Sequence, residues 1–141
     1  MAVKNILIVC TGNTCRSPMA EGLLIHLPTR RGLPPDEFHV SSAGLAAVPG
    51  EPASSNAVAV MEEIGCSLSG HRARQITPEM ANQADVILCM TPAHKAALSG
   101  FCDPDKITVL DVTDPFGGDR DTYRQCRDEL TGKLEDIVQD L

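Results

Sequence analysis

The sequence predicts an α/β fold, a four-stranded parallel sheet with helices on both faces. Three observations predict it. Short apolar runs of strand length alternate with stretches whose apolar residues recur at helical spacing. Thr-Pro pairs and glycines mark where the helical stretches open and close. The order strand, helix, strand persists along the chain, and such crossovers bring successive strands into one sheet in parallel.

The elements follow in order. Lys4 to Val9 is a buried strand, because Ile6-Leu7-Ile8-Val9 is an unbroken apolar run. Pro18 to Arg31 is a helix with Met19, Leu23, Leu24 and Leu27 on one face, broken by Gly32-Leu33-Pro34-Pro35. Phe38 to Ser42 is the second strand, and Ala43-Gly44 and Pro49-Gly50 fall in a loop. Ala53 to Ile64 is a helix closed by Gly65. Gln75 to Ala84 holds a short helix with Thr77 as N-cap and Pro78 at its first position. Val86-Ile87-Leu88-Cys89-Met90 is the third strand, and Thr91-Pro92 opens a short helix toward Leu98. Ile107 to Leu110 is the fourth strand. Arg120 to Leu141 is a closing helix on which Tyr123, Leu130, Leu134, Ile137 and Leu141 recur at helical spacing.

The chain has 141 residues and no repeat, low-complexity tract or dividing linker, so one domain over 1–141 is expected. Aromatic residues are 3% of the chain, with one Tyr and no Trp, so the core must be aliphatic. The net charge is −7 and no basic stripe is present, which excludes nucleic acid as a partner. No apolar run has the length of a membrane span, and the N-terminus lacks the pattern of a secretion signal. A cytoplasmic protein without a membrane partner is expected. In that compartment six cysteines are free thiols rather than a disulfide scaffold. The spacing of Cys10 and Cys15 matches no common zinc set, so neither a metal nor another cofactor is expected.

One segment carries chemistry: Cys10-Thr11-Gly12-Asn13-Thr14-Cys15-Arg16-Ser17. It lies between the first strand and the first helix, with Ser17 as the expected N-cap and Pro18 at the first helical position. In a parallel sheet, ligands bind beyond the carboxyl ends of the strands. A tight loop there turns its backbone N–H groups toward an oxyanion, aided by the positive end of the following helix. Arg16 adds a planar clamp for phosphate oxygens. Cys10 sits at the base of this positive field, which favours the thiolate and makes sulfur a nucleophile. The chemistry implied is attack by sulfur on a bound phosphoryl group. The bland alternative is a buried structural cysteine followed by a surface arginine.

The stretch from Val9 to Glu21 closely resembles the signature of the low-molecular-weight protein tyrosine phosphatases, and the likeness covers nearly the whole chain. Ser41-Ser42-Ala43-Gly44 is similar to the family's Ser-Ala-Gly stretch. Gly70-His71-Arg72-Ala73-Arg74-Gln75-Ile76-Thr77 is similar to its His-x-Ala-Arg segment, and Asp114-Pro115-Phe116-Gly117-Gly118 to its general-acid loop. The resemblance implies that Cys10 is the nucleophile and that Arg16 with the N–H groups of Thr11 to Arg16 holds phosphate. It implies that Asp114 is the acid and then the base, that Ser17 assists the Cys10 sulfur, and that Asn13, Ser42 and His71 hold the loop in shape. Read without the resemblance, His71 is an exposed residue of a basic turn and Ser17 a helix cap. Arg72 and Arg74 are surface charges or supply positive potential near the site. The resemblance also implies a reversible Cys10–Cys15 disulfide that shields the nucleophile; otherwise Cys15 is a small buried hydrophobe.

Thr14, the Asp-Pro-Phe-Gly-Gly acid loop, and Met90-Thr91 followed by His94-Lys95 point within the family to the bacterial protein arginine phosphatase branch. The implied partner is a phosphorylated protein substrate bound by a monomer. Phosphotyrosine is the alternative substrate. One departure is a segment between Met90 and Asp114 shorter than the family's, which leaves Asp111 as a rival acid. Pro115 favours Asp114, because it holds the preceding residue extended. Two other functions use the same loop: a thiol-dependent arsenate reductase, which needs resolving cysteines, and a non-catalytic phosphopeptide-binding module.

Overall fold

The computed structural model describes residues 3–26, 34 and 36–141. The order of elements is β1 (Lys4–Cys10), α1 (Arg16–Ile25), β2 (Phe38–Gly44), α2 (Ser55–Glu62), α3 (Pro78–Gln83), β3 (Val86–Cys89), α4 (Pro92–Leu98), a 3-10 turn (Pro104–Lys106), β4 (Ile107–Val109) and α5 (Arg120–Val138). The strands form one sheet in the order β2-β1-β3-β4. Every neighbouring pair is parallel, with Ile8 level with Ser42 on one side and Leu88 on the other.

Side chains of β1 alternate between two apolar layers. Ile6, Ile8 and Cys10 pack in the layer that holds Met19, Leu23 and Leu24 of α1, Val60 and Met61 of α2, and Leu130 and Leu134 of α5. Leu7 and Val9 face the opposite layer with Ile87 and Cys89 of β3, Ala81 of α3 and Leu98 of α4. Both faces of the sheet are therefore covered. This explains why β1 reads as a continuous apolar run rather than an alternating one.

The caps act largely as the sequence predicts. The Thr77 hydroxyl accepts from Met80 N–H at the start of α3, and Thr91 accepts from His94 N–H at the start of α4. Gly65 (φ 77) closes α2, with its own N–H on the Glu62 carbonyl and Cys66 N–H on that of Met61.

Several boundaries differ from expectation. The first helix begins at Arg16 and its last helical residue is Ile25, because His26 (φ −143, ψ 58) has left helical geometry. Residues 27–33 and 35, which include the expected Leu27 and most of the break after it, lie outside the described residues. β2 runs on to Gly44 because it pairs with β1 as far as Cys10. α2 is trimmed to Ser55–Glu62, since Ser54 is its N-cap. β3 and β4 each stop one residue early, and α5 ends at Val138.

The path of the chain positions the site. β1 leads into α1 on one face of the sheet, and β3 leads into α4 on the other. The carboxyl ends of these adjacent strands thus diverge and leave a crevice, which the loop after Cys10 fills. Among the described residues, no helix is long and apolar enough to cross a membrane.

Two substitutions test this account of stability by urea unfolding. Leu24→Ala removes a fully buried side chain between α1 and the sheet and should cost about 2–5 kcal/mol. Gly65→Ala meets open space but imposes a left-handed conformation on a Cβ, and should cost about 1–2 kcal/mol.

Candidate active site

The loop from Cys10 to Cys15 is held from outside by its carbonyls. The Cys10 carbonyl accepts from Leu45 N–H (3.0 Å), Thr11 from Ala46 N–H (2.9 Å) and Thr14 from Ser54 N–H (2.9 Å). The Asn13 carbonyl accepts from His71 Nε2–H (2.7 Å). In a trans peptide, the N–H of the next residue points opposite to the carbonyl. Four carbonyls turned outward therefore turn the N–H groups of Thr11, Gly12, Thr14 and Cys15 inward. The result is a concave array of donors at the positive end of α1.

Asn13 fixes this shape. It is fully buried, with its backbone in the left-handed region at φ 58. Its Oδ1 accepts from Arg74 N–H (2.9 Å), which settles the orientation of the amide, since a backbone N–H can only donate. The two Nδ2 hydrogens then go to Ser17 Oγ (2.8 Å) and Ser42 Oγ (2.9 Å). Ser42 passes its own hydrogen to Glu21 Oε1 (2.5 Å). Gly44 lies against the same loop. A Cβ there would sit 2.6 Å from the Thr11 carbonyl oxygen and 3.0 Å from Asn13 N, so only glycine fits.

Cys10 Sγ lies at the base of the array. It accepts from Asn13 N–H (3.2 Å) and lies 2.9 Å from Ser17 Oγ. Ser17 already accepts from Asn13, so its hydrogen is available to a Cys10 thiolate. Ser17 is thus not the N-cap. That position belongs to Cys15, and no side chain caps α1. The hydroxyl is instead held against sulfur, fully buried behind the loop.

The buried Arg16 guanidinium donates from Nη1 to the Val112 carbonyl (2.9 Å) and has Nη2 3.6 Å from Asp114 Oδ2. Asp114 is half-exposed, and its Oδ1 accepts from Phe116 N–H (3.0 Å) in a tight turn. A cavity of about 300 Å³ is lined by Cys10, Thr11, Gly12, Thr14, Cys15, Arg16 and Asp114, together with Glu51 and Phe116. Asp111 is not among these residues. It adopts φ 60, is exposed, and offers its carbonyl to Lys133 Nζ. Of the two aspartates, Asp114 is thus the one at the cavity and beside Arg16.

The other thiols stand apart from this chemistry. Burial pushes the Cys89 thiol up to about 11 and that of Cys126 up to about 12, and it also raises Cys66 and Cys102. None of the four lines the cavity. Cys15 Sγ lies 3.3 Å from Tyr123 Oη and 3.6 Å from Ser54 Oγ. Burial first, and then the contact with Cys15, push the Tyr123 phenol up to about 12.

Most of the residues expected at the site converge. Thr11, Gly12, Thr14 and Cys15 line the cavity with Cys10, Arg16 and Asp114, while Asn13, Ser17, Ser42 and His71 form the layer behind it. Residue patterns did not single out Glu51, Glu21, His94 or Tyr123 for this site. Glu21 was legible in principle, as it lies one helical turn beyond Ser17 within the signature.

The described fold agrees with the comparisons. The model of the low molecular weight phosphotyrosine protein phosphatase family matches residues 5–141, and the chain belongs to that family. It is an enzyme of the protein phosphatase class. The chain is 39% identical over 148 residues to a protein-arginine-phosphatase of Bacillus subtilis (strain 168), covering 97% of this chain and 96% of the relative. It is 48% identical over 123 residues to a probable low molecular weight protein-tyrosine-phosphatase, EpsP, of Ralstonia solanacearum, covering 81% and 79%. The crystal structure of a low molecular weight protein tyrosine phosphatase from T. tengcongensis superposes with a TM-score of 0.89 at 37% identity, covering 98% of this chain and 99% of that one.

Two measurements test the geometry. Gly44→Ala should cost about 1–3 kcal/mol in urea unfolding and lower turnover, because the loop must shift to admit the methyl group. The second concerns His94, which is buried; burial and then the nearby Arg16 charge lower its pKa from 6.5. As pH falls below 6.5, the unfolded chain takes up a proton that the folded chain does not hold. Stability should fall with pH through that window, and less steeply in His94→Gln.

Proposed function

We propose that the chain hydrolyses phosphoarginine on protein substrates through a phosphocysteine at Cys10. The Cys10 thiolate attacks phosphorus, an S–P bond forms and the P–N bond breaks. The inward N–H groups and Arg16 hold the equatorial oxygens. Asp114 gives its proton to the departing guanidine nitrogen. A water then attacks phosphorus and passes a proton back to Asp114, and the S–P bond breaks. Ser17 donates to the departing sulfur, and inorganic phosphate leaves. No metal or organic cofactor enters these steps, and the proposed enzyme acts as a cytoplasmic monomer of one domain.

The observation that carries the arginine reading is the polar wall above Cys10. Thr14 and two carboxylates, Asp114 and Glu51, line the cavity, and these suit a guanidinium group better than an aryl ring. The arginine-phosphatase relative, matched along nearly the whole chain, supports the same choice. Phosphotyrosine is the second reading. Phe116 favours it, because this ring is 79% exposed at the cavity and available to stack on an aryl group. An arsenate reductase gains no support, since Cys66, Cys89, Cys102 and Cys126 all lie away from the cavity. A binding module without activity is disfavoured by the joint presence of Cys10, Arg16 and Asp114 in one cavity.

Phosphate release from matched phosphoarginine and phosphotyrosine peptides tests the reading. Phosphoarginine should be preferred, Cys10→Ser should abolish release, and Asp114→Asn should reduce it about 10²- to 10⁴-fold. Thr14→Ile should shift the preference toward phosphotyrosine; an unchanged ratio would remove Thr14 from the selection. Cys15 is proposed to protect Cys10 by a reversible disulfide. Activity lost to mild peroxide should return on adding thiol in the parent and fail to return in Cys15→Ala.

A further inference from the structure

His94 lies in the first turn of α4, which follows β3. It is 6% exposed. Its Nδ1 is 3.3 Å from the backbone N of Met90, and its Nε2 is 2.9 Å from Thr11 Oγ1. A backbone N–H can only donate, so Nδ1 is the unprotonated nitrogen. A neutral imidazole then carries its hydrogen on Nε2 and donates it to Thr11.

This tautomer has a consequence for Thr11. A hydroxyl has one hydrogen to give. Since Thr11 Oγ1 accepts from His94, its own hydrogen is directed elsewhere. Thr11 lines the cavity above Cys10, and among the described residues its hydroxyl has no second protein partner. We propose that His94 is a positioning residue that aims the Thr11 hydroxyl hydrogen into the cavity, adding a side-chain donor for a bound phosphoryl oxygen to the backbone array. The proposal rests on the phosphatase reading of this cavity and holds for either leaving group, because it concerns the phosphoryl oxygens alone.

The α4 cap keeps the imidazole in place. The Thr91 hydroxyl accepts from His94 N–H, so the backbone of the residue is set by the cap, and the side chain spans from Met90 at the end of β3 to Thr11 after β1. Arg16 and Asp114 are the charged groups whose fields reach the ring.

Two substitutions separate positioning from packing. His94→Asn retains an acceptor within reach of Met90 N–H but is too short to reach Thr11. His94→Gln places an N–H donor where Nε2 stood. The readouts are the binding constant of inorganic phosphate, measured calorimetrically, and KM and kcat on one phosphorylated peptide. His94→Asn and Thr11→Val should each weaken phosphate binding about tenfold, in line with loss of one hydrogen bond to a charged group. Thr11→Ser and His94→Gln should stay within about threefold of the parent. The double variant Thr11→Val/His94→Asn should bind no more weakly than the weaker single variant. Phosphate binding unchanged in His94→Asn, or losses that multiply in the double variant, would overturn the proposal. Failure of the arginine reading would instead appear as a peptide preference, with these phosphate constants unaffected.

Discussion

The site depends on one buried amide. Asn13 adopts a left-handed backbone that most residues avoid, and its side chain ties together segments that are distant in sequence. One carboxamide joins the helix that follows the loop, the end of β2 and the backbone of Arg74. Because Oδ1 and both Nδ2 hydrogens are engaged, the amide has one orientation. That orientation settles which way the Ser17 hydroxyl points, and hence what the sulfur of Cys10 meets. A neutral interaction deep in the fold thus sets the surroundings of the Cys10 sulfur without adding a charge of its own.

The second constraint is steric and concerns the outer wall. The loop closes over Gly44 at a distance that excludes any side chain, and its carbonyls are taken up by Leu45, Ala46 and Ser54. The cradle is consequently part of the sheet rather than a free excursion from it. The bonds that turn its carbonyls outward come from the fold itself, so the dipoles that would meet an oxyanion are fixed by the same framework. Arg16 is likewise held by the Val112 carbonyl and by Asp114, which joins the cation to the loop that follows β4.

Much of this was legible in the sequence, for identifiable reasons. Ile6-Leu7-Ile8-Val9 could only be a strand covered on both faces, and the Thr-Pro and Gly65 caps placed three helix ends within a residue or two. The residues of the loop itself announced a phosphate cradle. What stayed hidden was set by tertiary contact. Ser17 carries the local signature of an N-cap, yet Asn13 and Cys10 engage its hydroxyl. β2 reaches Gly44 because pairing with β1 continues, a fact no local pattern encodes. His94, Tyr123 and Glu51 join the site from α4, α5 and the loop after β2, and only the sheet order brings them together.

The strap from Leu45 to Ser54 serves two ends at once. Its backbone grips the back of the cradle through Leu45, Ala46 and Ser54, and it carries Glu51 at the cavity wall. The Glu51 carbonyl accepts from Ala73 N–H, and Ala73 returns its own carbonyl to Gly50 N–H, one residue before the Arg74 backbone that steadies Asn13. Whatever a substrate touches at this wall is therefore one short span of chain away from the groups that shape the reaction centre. Around Asp114, where Phe116 is exposed, no backbone N–H among the described residues bonds a carbonyl of the cradle. The two walls are unequal in freedom: apart from Asp114, one can diversify with little effect on the sulfur, while the other is bound to evolve in step with it.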